Sequence, residues 1–219
     1  MNIQKLGAEF IGTFTLIFVG VSAICNDAGL VGIALAFGLA LAVMISAMGH
    51  ISGGHYNPAV TVGALVGGKI SPQDAFAYII AQLLGGYFGA LAVKAIFLPA
   101  IWQAHHLGVT MLAPGVNILS GILMEIILTF FLVLVVYGTA IDKRAPKVGG
   151  LFIGLTVTLD ILAGGPITGG SMNVARTFGP ALAGGYWDNH IVYWIGPLIG
   201  GALAGFVYSK IIGREGLTA

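Results

Sequence analysis

The sequence predicts an all-α integral membrane fold: six transmembrane helices plus two re-entrant half-helices, arranged as an inverted 3+3 internal repeat. Three observations predict it. The first is composition. Of 219 residues, 58% are hydrophobic and only 8% are charged, against about 25% charged in an ordinary soluble domain. So little polar surface could not cover a soluble globule. The second is that six apolar segments each approach the roughly 20 residues that a bilayer crossing needs. The third is that the two halves of the chain repeat each other at a nearly constant offset.

The six predicted spans cover residues 6–25, 30–49, 74–98, 118–140, 148–164 and 190–212. Two further apolar pieces, 57–67 and 173–184, are too short to cross. The 35 glycines lie inside the apolar runs, not in a linker, a pattern that points to close helix–helix approach in lipid. Seven of the nine basic residues fall on one side of this map: Lys5, Lys69, Lys143, Arg144, Lys147, Lys210 and Arg214. The positive-inside rule then puts both termini in the cytoplasm, and the even number of spans agrees. Lys94 and Arg176 are the exceptions.

The repeat is carried by separated landmarks. The run Ala8-Glu9-Phe10-Ile11-Gly12-Thr13-Phe14 matches Met124-Glu125-Ile126-Ile127-Leu128-Thr129-Phe130. The run Gly53-Gly54-His55-Tyr56-Asn57-Pro58-Ala59 matches Gly169-Gly170-Ser171-Met172-Asn173-Val174-Ala175, and both pairs are offset by 116 residues. The glycine pair Gly85-Gly86 answers Gly200-Gly201 at an offset of 115. The chain therefore reads as one domain, 1–219, built from repeats at about 1–100 and 117–219. Each half holds three spans, an odd number, so the second copy enters the membrane from the opposite face. The two short segments must then dip in from opposite sides.

Backbone that is not helical at membrane depth must be buried or line a watery cavity. Asn57 is a favoured N-cap and Pro58 is favoured at the next position, so Asn57-Pro58-Ala59 reads as the start of a half-helix. Asn173-Val174-Ala175 is its counterpart. Two facing helix N-termini focus positive potential between them, and the asparagine amides can donate to a passing oxygen. Such a pore repels cations and suits neutral hydrogen-bonding solutes.

These residues resemble the aquaporins over nearly the whole chain. The run Gly49-His50-Ile51-Ser52-Gly53-Gly54-His55-Tyr56-Asn57-Pro58-Ala59-Val60-Thr61 and the run Ser171-Met172-Asn173-Val174-Ala175-Arg176-Thr177-Phe178-Gly179-Pro180 carry the likeness. It looks nearest to the archaeal-type prokaryotic water channels, with some likeness to plant vacuolar ones. The resemblance implies a homotetramer with one pore per subunit. It also implies an outer selectivity filter at Phe37, Ile161, Gly170 and Arg176. Two departures stand out: Val174 replaces the family's proline, and Ile161 stands where strict water channels place a histidine. Ile161 and Gly170 widen the expected filter and admit small neutral solutes. Thr177, Ala181 and the pair Tyr193-Trp194 resemble the water branch instead of the glycerol branch.

Other classes fit less well. Glu9 and Glu125 are intramembrane carboxylates that suit proton coupling or catalysis, yet their matched positions favour a structural role, bonding the re-entrant backbone. A secondary transporter shares the inverted repeat but normally needs an ionisable coupling group. No nucleophile–base motif or metal motif is visible, so neither enzyme activity nor a cofactor is expected. Cys25 is the only cysteine, which leaves no intrachain disulfide. Asp160 either tunes the filter beside Ile161 or bonds loop backbone. His105 and His106 read as a solvated outer loop, and no basic-aromatic patch suggests nucleic acid. The location expected is the plasma membrane, multi-pass, with a bilayer, water and small neutral solutes as partners.

Overall fold

The computed structural model describes residues 2–145 and 148–213. Lys147 and Arg214, used above for orientation, lie outside the described residues. In chain order the helices are α1 (Ile3–Cys25), α2 (Gly29–Ser52), α3 (Pro58–Val66), α4 (Pro72–Ile96), α5 (Pro99–Ala104), α6 (Ile118–Val136), α7 (Gly149–Thr168), α8 (Val174–Gly184) and α9 (Val192–Val207). Helices α6 and α9 each continue into a π turn, Tyr137–Ile141 and Tyr208–Ile212. Six of these helices are long and apolar enough to span a bilayer: α1, α2, α4, α6 with its π turn, α7, and α9 with its π turn. Helices α3 and α8 are the two short ones, and they begin at the asparagine motifs.

Caps explain several boundaries. Asn2, Ser71 and Asn117 each accept from a backbone N–H in the first turn of α1, α4 and α6. Helices α2 and α7 end alike, on Gly53 at φ 95° and Gly169 at φ 82°, a left-handed conformation that only glycine adopts without strain. Helix α7 runs past the predicted end at residue 164 and continues to Thr168, with Pro166 inside it. The Gly-Gly-Pro run looks like a breaker, but in an apolar setting the backbone has no water to turn to, and the helix persists. Neither α5 nor the 3₁₀ turn His106–Gly108 was foreseen.

Each half-helix packs on the last span of the opposite half, α3 on α9 and α8 on α4. Within each half, α1 packs on α4 and α6 on α9. The glycine pairs make these contacts close. A Cβ on Gly85 would lie 2.4 Å from the Phe10 carbonyl oxygen, and one on Gly200 would lie 2.4 Å from that of Ile126. A Cβ on Gly86 would lie 2.6 Å from the Ala175 carbonyl oxygen, and one on Gly201 would lie 2.3 Å from that of Ala59. Small residues thus let backbones touch. The outer surface carries Leu39, Val43, Phe76, Leu119, Leu159 and many other large apolar side chains. A water-facing surface would not tolerate so many, so this is the lipid face of a multi-pass membrane protein.

Candidate functional site: a central pore

Glu9 and Glu125 organise the two re-entrant loops from behind. Glu9 Oε1 accepts from the Ser52 hydroxyl at 2.6 Å and the His55 N–H at 3.0 Å, and its Oε2 accepts from the Tyr56 N–H at 2.7 Å. Glu125 repeats the pattern with the Thr168 hydroxyl at 2.7 Å, the Ser171 N–H at 2.9 Å and the Met172 N–H at 2.7 Å. Both carboxylates are fully buried. They hold Tyr56 at φ 48° and Met172 at φ 52°, an uncommon region for a side chain of that size. Tyr78 and Tyr193 complete the support by donating to the carbonyls of Ser52 and Thr168 at 2.8 and 2.7 Å. The symmetry breaks at one point. Gln82 Nε2 donates to Glu9 at 2.7 Å, whereas the matching position in the second half is Pro197.

This arrangement sets the direction of the loop carbonyls. In a trans peptide the N–H and C=O point opposite ways. Drawing the N–H groups of His55 and Tyr56 toward Glu9 turns the Gly54 and His55 carbonyls away from it. The same reasoning turns the Gly170 and Ser171 carbonyls away from Glu125. Gly54, His55, Gly170 and Ser171 all line one narrow central cavity.

The two asparagines meet in that cavity. Asn57 Oδ1 accepts from the Ala59 N–H at 2.8 Å, and Asn173 Oδ1 accepts from the Ala175 N–H at 2.9 Å and the Arg176 N–H at 3.3 Å. Their backbones are nearly identical, at φ −158°, ψ 121° and φ −150°, ψ 112°. Val174 therefore starts α8 as Pro58 starts α3. The side-chain amides then cross between the halves. Asn57 Nδ2 donates to the Met172 carbonyl at 2.8 Å and Asn173 Nδ2 donates to the Tyr56 carbonyl at 3.0 Å. Each amide nitrogen carries two hydrogens, so one remains for a solute.

The four residues assigned to the outer filter line the same cavity. Phe37, Ile161 and Arg176 are buried there, and Gly170 joins them. The guanidinium carbon of Arg176 lies 4.6 Å from the Phe37 ring centroid, a cation–π distance. Arg176 Nη1 donates to the Gly108 carbonyl at 2.6 Å. Its Nε is buried without a partner among the described residues. Gly108 is an acceptor that no residue-type pattern marks, because its contribution is a backbone oxygen. Thr110 was missed for another reason: its hydroxyl pairs with that of Thr177, 67 residues away, which in turn bonds the Ser171 hydroxyl.

Other singled-out residues lie as follows. His55 Nδ1 pairs with the Thr61 hydroxyl at 3.0 Å. Asp160 is buried but makes no hydrogen bond, and its Oδ2 has no partner among the described residues. Among the described residues it does not bond loop backbone, because the loop N–H groups of Gly170, Ser171 and Met172 are taken by Thr168 and Glu125. His105 lies 3.4 Å from Asp27, and the His106 ring stacks edge-on against Tyr186. Lys94 finds its place at the end of α8, where its Nζ donates to the Ala183 carbonyl at 2.7 Å and sits 4.8 Å from the Trp102 ring centroid.

Two half-helices capped by asparagine, joined across a central cavity and backed by matched glutamates, define one architecture. Residues 1–208 match the family model described as major intrinsic protein. The chain belongs to the major intrinsic protein family. It is 46% identical to the protein described as probable aquaporin TIP3-2 of Arabidopsis thaliana, with 96% of this chain and 84% of that protein aligned. It is 44% identical to aquaporin TIP4-2 of Zea mays, over 95% of this chain and 85% of that protein. Among solved structures, the aquaglyceroporin from Plasmodium falciparum superposes with a TM-score of 0.84 at 24% identity, covering 96% of each chain. That last likeness speaks to the fold.

Proposed function

We propose that the chain forms a passive channel for water that also admits small neutral solutes. The observation that carries the reading is the crossed bonding of Asn57 and Asn173 at the meeting of two helix N-termini. A water oxygen accepts from the remaining asparagine hydrogens, while water hydrogens donate to the carbonyls of Gly54, His55, Gly170 and Ser171. The wall opposite is apolar, with Leu16, Leu41, Val60, Leu132 and Val157. A solute thus exchanges its solvent shell for a single line of polar contacts. Protons and cations meet the positive ends of α3 and α8 and the Arg176 guanidinium.

Phe37, Ile161, Gly170 and Arg176 act in this reading as the filter. Ile161 offers no hydrogen bond and Gly170 no side chain, so solutes larger than water enter. Glu9 and Glu125 serve as scaffolding. The channel works as a homotetramer with a pore in each subunit, and it performs no catalysis. Both termini face the cytoplasm of a plasma membrane, a reading supported by Lys5, Lys69, Lys143 and Lys210 on one face. Imaging a fluorescent fusion tests the location: an internal membrane would overturn it and leave the channel reading intact.

The deciding experiment is stopped-flow light scattering on proteoliposomes, with an impermeant osmolyte and then with glycerol and urea. Fast water flux with a low activation energy is expected, together with measurable entry of the smaller solutes. Ile161→His should reduce glycerol entry relative to water, and Arg176→Val should increase it. Water flux equal to that of empty liposomes would overturn the reading.

A further inference from the structure

The face that carries the start of α1 and the end of α9 holds a second pocket, away from the pore axis. It is lined by Gly67 and Lys69 after α3, by Asp142, Lys143 and Arg144 after α6, and by Tyr208, Ser209 and Lys210 at the end of α9. Three separate chain segments thus bring four cations to one place. The pocket contains a single carboxylate, and it is already matched. Arg144 closes on Asp142 through both oxygens, and the Tyr208 hydroxyl donates to the same group at 3.0 Å. Lys69, Lys143 and Lys210 make no ion pair among the described residues.

Two features mark this as more than the usual excess of positive charge on one side of a membrane protein. Both π turns, Tyr137–Ile141 and Tyr208–Ile212, border the pocket, and such turns cluster at functional positions. Their leading tyrosines pack at a tilt of 31°, ring centroids 5.2 Å apart, and form one wall. Beside them the Ser209 hydroxyl is buried near that of Tyr137, and among the described residues it makes no close hydrogen bond. A buried hydroxyl with no partner costs free energy unless something bonds it.

The geometry points to a phosphate-binding site in this pocket, with Lys69, Lys143 and Lys210 as counter-charges and Ser209 as a hydrogen-bonding contact. A tetrahedral dianion or a phosphodiester suits three point charges arriving from different directions. The pocket sits where the α6 and α9 spans end, the depth at which headgroups lie. Basic pockets between spans on this side of a membrane take anionic headgroups, and free inorganic phosphate presents the same chemistry.

The test is thermal unfolding of the purified full-length protein in detergent, followed by tryptophan fluorescence. Phosphatidylglycerol, phosphatidylcholine or inorganic phosphate is titrated in turn. A saturable rise in the unfolding midpoint with phosphatidylglycerol but not phosphatidylcholine is expected. The Lys143→Gln/Lys210→Gln pair should shift the half-saturating concentration upward by roughly tenfold. Lys5→Gln, on the same face but outside the pocket, should match the wild type, and Ser209→Ala should weaken the response severalfold. A similar saturable rise with inorganic phosphate identifies a soluble ligand; a rise with phosphatidylglycerol alone identifies a headgroup. The proposal is overturned if neither phosphate nor phosphatidylglycerol raises the midpoint. It is equally overturned if Lys5→Gln and Lys210→Gln weaken the response to the same extent, since that would be surface charge acting without a site.

Discussion

The Asn57 side-chain amide donates to the Met172 carbonyl at 2.8 Å, across the junction of the two halves. Asn173 returns the bond to Tyr56 at 3.0 Å. Each asparagine therefore caps its own half-helix and ties down the loop of the other. Replacing either by alanine removes a cap, at about 1 kcal/mol, and a buried crossing bond, at about another 1 kcal/mol. Asn57→Ala and Asn173→Ala should each lower the unfolding midpoint and cut water flux several-fold in proteoliposomes. Retention of full flux by either variant would mean that the crossing bonds do not shape the pore.

The matched glutamates should differ in consequence. Glu9 accepts four hydrogen bonds, including the one from Gln82, while Glu125 accepts three. A glutamine at either place turns an NH₂ toward groups that are themselves donors. Each unsatisfied buried donor costs roughly 1–3 kcal/mol. Glu9→Gln should therefore be the more damaging, visible as a lower yield of folded protein and a lower unfolding midpoint than Glu125→Gln. The reverse order would show that Gln82 contributes little.

Gly179 faces Gly86 so closely that an added Cβ would fall 2.3 Å from the Gly86 carbonyl carbon. The neighbour is backbone and cannot swing aside, so Gly179→Ala should push α8 off α4. Overpacking of this kind costs about 1–3 kcal/mol. Because α8 carries Arg176, solute selectivity should change as well. Gly7→Ala is the control, since nothing lies within 4 Å of that position. Equal glycerol-to-water permeability ratios in the two variants would contradict this account.

Lys94 bonds the carbonyl of Ala183 in the last turn of α8, where a cation complements the helix dipole. Lys94→Met keeps much of the contact with Trp102 but removes the charged hydrogen bond, a loss of roughly 2 kcal/mol. The unfolding midpoint should fall, and Lys94→Arg should restore part of it. An unchanged midpoint in Lys94→Met would mean that α8 is held by packing alone.

His190 supplies a pH dependence. It lies before α9, its ring packs edge-on against Trp187 at 4.7 Å between centroids, and its Nε2 is buried without a partner among the described residues. Burial pushes its pKa below the ordinary 6.5. The unfolded chain then takes up the proton first as pH falls, so it binds more protons than the folded chain. The stabilisation is complete above about pH 6.5 and is lost as pH falls through the lowered folded value. The unfolding midpoint should drop between pH 7 and pH 5, and His190→Phe should flatten that drop. An identical pH profile in the variant would exclude His190 as its source.

Much of the fold was legible because the membrane simplifies the rules. Length, apolarity and the 116-residue offset between Glu9 and Glu125 imply six crossings and an inverted repeat, since lipid leaves helices as the way to satisfy backbone. The starts of α3 and α8 were also readable, because an asparagine cap acts on amides two or three residues away. The end of α7 was misjudged, because the Gly164-Gly165-Pro166 run signals a break that an apolar setting overrides.

By itself the sequence determined the number of spans, the two asparagine caps and the existence of paired carboxylates. Only the tertiary structure decided that Arg176 answers to the Gly108 carbonyl, that Gln82 makes the two glutamates unequal, and that Lys94 closes α8. The reason is physical. Capping and hydrophobic length are local and leave marks in residue type, whereas these contacts join atoms 68 to 89 residues apart, and two of the three acceptors are backbone oxygens that every residue possesses.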